Sequence, residues 1–206
     1  MVSETKKKNT KRACIGLFLG LFVLGGCGSE SPFSETDPHM SSLALHKDGS
    51  VSAELVDEFG EAYYSEEELE GRIAQELGQF NEAQGEGAAS LEGHGLSGSE
   101  MHVQLSFRDA EAFDAYMPEE LFGGNVQGAF DAGFSFDQAL AYADEPRHVI
   151  GKNELMNMAD EKILILKGKM RVSVPGKILY YTQGMERTAA DTLQPTEEGE
   201  YFIIYQ

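Results

Sequence analysis

Met101-His102-Val103-Gln104-Leu105-Ser106-Phe107 sets an apolar residue at every odd number and a polar one at every even number. Successive side chains of a strand point to opposite faces, so this repeat of two predicts a strand with one face on a core and the other in water. The residues before it are rich in glycine, and the stretch from about Ala88 to Phe107 reads as a hairpin. With residues 97–99 as its loop, Leu91 and Leu105 share the buried face while His94 faces His102 on the other. Further upstream, Ser65 followed by Glu66, Glu67 and Glu68 is a capping box, with its carboxylates at the positive end of the helix dipole. Leu69, Ile73, Leu77 and Phe80 continue at spacings of four, four and three, which predicts an amphipathic helix over about 66–84 with its apolar stripe on the core. Gly71 and Gly78 weaken it by about 1 kcal/mol each relative to alanine. Leu43 and Leu45, then Lys47-Asp48-Gly49-Ser50, then Val51, Ala53 and Leu55 form an earlier hairpin, Asp-Gly supplying the positive backbone angles of its turn.

Downstream, Asp109 caps a short helix carrying Phe113, Tyr116 and Met117, and Pro118 stops it. The stretch from Leu121 to Ala143 carries a helix at 125–132 and the aromatic residues Phe134, Phe136 and Tyr142, without a pattern that places them further. A short helix near 153–158 precedes four strands, at Lys162 to Leu166, Met170 to Val174, Ile178 to Tyr181 and Tyr201 to Tyr205. Pro175-Gly176 is placed as the central pair of a type II turn. Hairpin, helix, hairpin, helix and a terminal group of strands describe an α+β fold: a largely antiparallel sheet built from hairpins, packed against one long and several short helices.

The chain has 206 residues, 41% hydrophobic and 25% charged, with 16 Lys and Arg against 35 Asp and Glu and a net charge of -19. Such acidity argues against nucleic acid as a partner. The basic residues cluster at the start, where Lys6, Lys7, Lys8, Lys11 and Arg12 precede an apolar run from Ala13 to Leu24. A helix of that length rises about 18 Å, short of a hydrocarbon core about 30 Å thick, so residues 1–26 read as a signal segment and not as a span. Leu24-Gly25-Gly26-Cys27 resembles the lipobox of bacterial lipoproteins. That resemblance implies cleavage before Cys27, its lipidation (palmitate among the acyl chains), and a protein held on the extracytoplasmic side of the cell membrane. Removing the signal takes five basic residues and Glu4 from the totals, leaving 11 basic and 34 acidic residues. Cys14 departs with it, so disulfides and thiolate metal sites within the domain are excluded. Residues 27–41 then form a polar tether reaching roughly 40 Å when extended, and 42–206 a single α+β domain.

Lys47-Asp48-Gly49-Ser50, Tyr63-Tyr64-Ser65 with Glu66 to Leu69, and Val174-Pro175-Gly176-Lys177 resemble features of uncharacterised LppM-like envelope lipoproteins. The resemblance implies a shared scaffold and a lipid-handling role, and it carries no catalytic residues. Gly93-His94-Gly95-Leu96-Ser97-Gly98 satisfies the dinucleotide fingerprint as text, but a strand follows it where the fingerprint needs a helix. His94 and His102, with Glu92 or Glu100, could hold a divalent metal if the hairpin register is right, against the plainer reading of polar residues on a solvated strand face. The expectation is therefore a membrane-anchored lipoprotein whose domain binds a protein or lipid ligand without catalysis, without cofactor or metal, and with Cys27 as its modified residue; a lipid-binding module and a hydrolytic enzyme are the alternatives.

Overall fold

The hairpin at the start of the domain forms from β1 (Ser42–Leu45) and β2 (Val51–Glu58). Its loop is Lys47-Asp48-Gly49, closed by His46 N–H on the Ser50 carbonyl. Only Gly49 takes a positive φ, +91°, while Asp48 instead accepts from the N–H and hydroxyl of Ser50, which holds its carboxyl below the usual carboxylate range. The computed structural model describes residues 39–61 and 64–206; the signal, Cys27, the tether up to residue 38, and Tyr63 lie outside them. Ser41 is already held by the domain, its carbonyl and hydroxyl accepting from the backbone N–H groups of Arg171 and Val56.

Helix α1 (Glu66–Gln84) has the expected bounds, with Ser65 as N-cap and its apolar stripe turned inward: Leu77 is buried, and Leu69, Ile73 and Phe80 pack partly buried on the core. β3 (Ala89–Ser97) and β4 (Glu100–Phe107) make the second hairpin, and Asp109 caps α2 (Ala110–Tyr116) by accepting from the N–H of Ala112 at 2.8 Å. The stretch that gave no clear pattern folds as β5 (Glu120–Asn125), α3 (Val126–Asp131) and β6 (Leu140–Tyr142), followed by β7 (Val149–Ile150), α4 (Lys152–Leu155) and a 3-10 turn at Met156–Met158. The chain ends in β8 (Lys162–Gly168), β9 (Arg171–Ser173), β10 (Ile178–Thr182), β11 (Met185–Arg187), β12 (Thr192–Pro195) and β13 (Gly199–Tyr205).

These strands divide between two sheets in an α+β fold. The first runs β11-β12-β9-β1-β2-β4-β3, antiparallel except for the β1–β9 pair; the second runs β5-β8-β13-β10-β6-β7, antiparallel throughout. Leu43, Val51, Leu105 and Val172 from the first sheet share a core with Leu164, Leu166, Tyr201 and Ile203 from the second, and α1 and α2 contribute Leu77 and Phe113 to it. The second sheet is buried on its other face too, where Ile163, Ile165, Phe202 and Ile204 meet Val126, Phe136 and Leu155.

Because β9 and β10 belong to different sheets, Pro175-Gly176 connects layers and does not turn a hairpin. Gly176 lacks the positive φ that a type II turn demands, which corrects the sequence expectation. Its glycine is required by close approach: an added Cβ would run into the backbone carbonyl of Gln206, whose N–H and C=O pair with Lys177. Lys177 in turn bonds Asp144 at 2.7 Å, and Arg187 of β11 reaches both Asp144 and the Ala143 carbonyl, tying the edge strand of the first sheet to the segment that follows β6 of the second. Hydrogen bonding to Lys177 holds the Asp144 carboxyl below the usual carboxylate range.

Candidate functional site

The glycine-rich hairpin closes on a two-residue turn, Gly98-Ser99, with Ser97 opposite Glu100. Gly98 has φ +65° and Ser99 does not have a positive φ, the pattern of a II′ turn with glycine first. Leu96 then faces Met101, Gly95 faces His102 and His94 faces Val103. Glu92 is an extra residue: the register shifts between Leu91 and Gly93, and the bulge restores Leu91 opposite Leu105. The expected loop was one residue too long, and the bulge hides that at Leu91 but not at His94. His94 and His102 therefore lie on opposite faces of the sheet, and the expected cross-strand pair does not exist.

His102 stands on the outer face of the first sheet, beside Gln104. Its Nδ1 lies 3.2 Å from Oε1 of Glu54 on β2, and both side chains are about four-fifths buried, at 21% and 19% exposed. His94 lies on the inner side, under α1, with Nε2 3.6 Å from Oε2 of Glu70 and a buried Nδ1 that has no hydrogen-bond partner among the described residues. His39 Nδ1 contacts Glu100 at 2.5 Å, His46 Nε2 contacts the Ser52 hydroxyl at 2.8 Å, and the His148 ring packs near Tyr142. The imidazoles are thus dispersed, and among the described residues no group of three His, Cys, Asp or Glu side chains is placed to hold a metal ion. Glu66, Glu67 and Glu68 sit exposed in the first turn of α1, where the dipole favours them.

What the hairpin does build is a rim. Gly93 and Gly95 leave the outer side of β3 without side chains, and a depression of about 370 Å³ runs along it, walled by His102 and Gln104 and floored by the strand from Gly93 to Ser97. Neither glycine is demanded by its backbone angles, and a Cβ would find open space at Gly95 and only the Gln104 amide, at 3.9 Å, near Gly93. Leu96 beside them is 46% exposed. A second depression, of about 430 Å³, lies where the β1–β2 turn meets α2 and β5, and it mixes Lys47 and Lys162 with Asp109 and Glu111.

The fingerprint-like glycines run along β3 into the turn and lead into β4, so no helix N-terminus meets them. The Glu54–His102 pair was not foreseen from sequence. Glu54 is placed outward by the alternation of Val51, Ala53 and Leu55, but its partner becomes visible only once β2 is paired with β4, with Val56 opposite His102 and Glu54 opposite Gln104. No protein-family model, curated protein or solved structure matches the chain, so the chemistry of the rim is read from its own residues.

Proposed function

We propose that the protein is a membrane-anchored extracytoplasmic lipoprotein whose folded domain is a non-catalytic binding module. The anchor is supported by the order of residues at the start: a basic cluster, an apolar run too short to span, and Leu24-Gly25-Gly26-Cys27. The observation that carries the binding role is the rim along β3, where a strand edge, two open glycines and an exposed leucine adjoin a histidine held by a carboxylate. Its polar groups are spread along a strand instead of converging on one point, which suits contact with an extended ligand better than bond making at a single atom. A lipid ligand would call for an enclosed apolar cavity, whereas the space between the sheets is filled by side chains such as Leu43, Val51, Leu164 and Ile203, all fully buried.

The anchor is tested by fractionating cells that carry wild-type protein or Cys27→Ser. Each buried methylene contributes about 0.8 kcal/mol, so two or more acyl chains hold a protein on the membrane where one does not. The variant is expected to leave the membrane fraction or to remain unprocessed, and an unchanged mass in the membrane fraction would show that Cys27 carries no lipid.

A further inference from the structure

The rim has a polarity that its backbone makes explicit. In an antiparallel pair, residues alternate between those that bond the neighbouring strand and those that turn their N–H and C=O away. Ser97 and Glu100 flank a two-residue turn and so form a bonded pair; two residues back, Gly95 and His102 form another. His94 and Leu96 therefore direct their backbone groups away from β4. At the other end of β3 the same outward groups are already engaged, because the Asn81 side chain of α1 donates to the Ala89 carbonyl at 2.8 Å and accepts from its N–H at 2.9 Å. Asn81 does for Ala89 what a neighbouring strand would do. Beyond the bulge at Glu92 no described strand does so for His94 and Leu96, since β3 is the last strand of its sheet.

The charge around this open half is one-sided. Residues 39–107, which hold β1 to β4 and α1, contain two basic side chains, Lys47 and Arg72, against fourteen acidic ones. Arg72 is engaged with Glu76 on its own helix, and Lys47 sits in the β1–β2 turn. Glu92 in the bulge, Glu70 beside His94 and Glu100 at the turn lie on or next to the open stretch.

We propose that the Gly93–Ser97 half of β3 takes up an extended basic peptide segment by strand addition, the backbone of His94 and Leu96 making the hydrogen bonds and the surrounding carboxylates selecting its charge. Gly93 and Gly95 fit that role because a glycine with room for a side chain lets a second backbone, or a bulky residue from it, lie against the strand. A second copy of this chain would bring the same carboxylates against themselves. The inference rests on reading the domain as a binding module and names the partner class of that site.

The test uses the full-length protein in detergent and a fluorescently labelled peptide of about ten residues alternating lysine and valine, with an alternating glutamate and valine peptide as control. The basic peptide is expected to bind, to weaken as salt is raised, and to slow amide exchange at His94 and Leu96; the acidic one is expected not to bind. Leu96→Pro removes an outward N–H while sparing the bonds to β4, and is expected to reduce affinity at least tenfold with the melting temperature kept, whereas Leu96→Ala leaves the backbone bonds and costs less than threefold. Absence of binding by the wild type, equal binding of both peptides, a folded Leu96→Pro variant that binds normally, or self-association through β3 would each overturn the proposal. None of those results touches Cys27 fractionation, and retention of another ligand by the envelope-extracted protein in native mass spectrometry would leave the binding-module reading standing while removing this partner.

Discussion

The centre of the second sheet and the outer wing of the first are both strand-built, and they are made in opposite ways. In β8 and β13, Ile163-Leu164-Ile165-Leu166 and Tyr201-Phe202-Ile203-Ile204-Tyr205 are buried on both sides, so the sequence is a continuous apolar run. In β4 every second residue faces outward and is polar, and β2 follows with Ser52, Glu54 and Glu58 outward and Val56 as the one apolar exception, so the sequence alternates. A strand covered on both faces is fixed by packing; a strand covered on one face is fixed by its register. Packing is therefore densest at β8 and β13, and open strand edge and side-chain-free surface lie at the β3–β4 rim.

The largest effect expected from this contrast is at Phe202, fully buried and in ring contact with Phe136 at 5.0 Å between centroids. Phe202→Ala should destabilise by roughly 3–5 kcal/mol in urea unfolding, since both layers around it are too well packed to collapse into the space. A loss under about 1 kcal/mol would mean that the second sheet is not the anchor of the fold. Leu77→Ala and Phe80→Ala, on the helix that covers the wing, should cost roughly 2–5 kcal/mol, with Phe80 at the lower end because it is only partly buried.

The same contrast explains what was legible beforehand. Helix α1 was readable to its end residues because cap, acidic first turn and apolar spacing are all local. β4 was readable because its alternation is complete, and β8 and β13 because nothing but a buried element tolerates such runs. β5 was not: Phe122-Gly123-Gly124 has no strand signal of its own, and the segment is extended because it pairs along its whole length with β8. β11 and β12 are three- and four-residue strands that pair with each other as a local hairpin and join the sheet only where β12 meets β9, and segments so short carry no alternation of their own. At the rim, the glycines that open the surface also erased the alternation that would have revealed the bulge at Glu92, so the feature on which the proposed binding role rests was the least visible.

Caps should give intermediate effects. Asp109→Ala removes the acceptor for the Ala112 N–H and should cost about 1 kcal/mol. The hydrogen bond from Ala112 lowers the Asp109 pKa below its ordinary value, so the cap's contribution is fully present above the unfolded-state pKa and fades as pH falls through the folded one. The difference between wild type and Asp109→Ala, followed by urea unfolding, should thus be constant near neutrality and shrink below about pH 4. Gly78→Ala works in the other direction: the position is exposed on α1 and an added Cβ meets nothing within 4 Å, so stability should rise by about 0.5–1 kcal/mol. A loss on that substitution would place a contact on the outer face of α1.

The smallest effects decide the register of the rim. His94 and His102 are on opposite faces, one next to Glu70 of α1 and the other next to Glu54 of β2, and they share no hydrogen-bond partner. Both imidazoles are about four-fifths buried and each makes a single carboxylate contact, worth about 0–1 kcal/mol. His94→Ala and His102→Ala should therefore each cost under about 1 kcal/mol, with His102 the larger because its contact with Glu54 is a hydrogen bond at 3.2 Å while His94 and Glu70 are 3.6 Å apart. More telling than either value is their sum. Side chains on opposite faces with separate partners should add within about 0.3–0.5 kcal/mol in the double variant. Two imidazoles on one face would instead be coupled, and zinc would raise the melting temperature of the wild type but not of either single variant. A double-mutant cycle with a coupling above about 1 kcal/mol, together with that zinc response, would move the bulge out of β3 and return both histidines to the outer face.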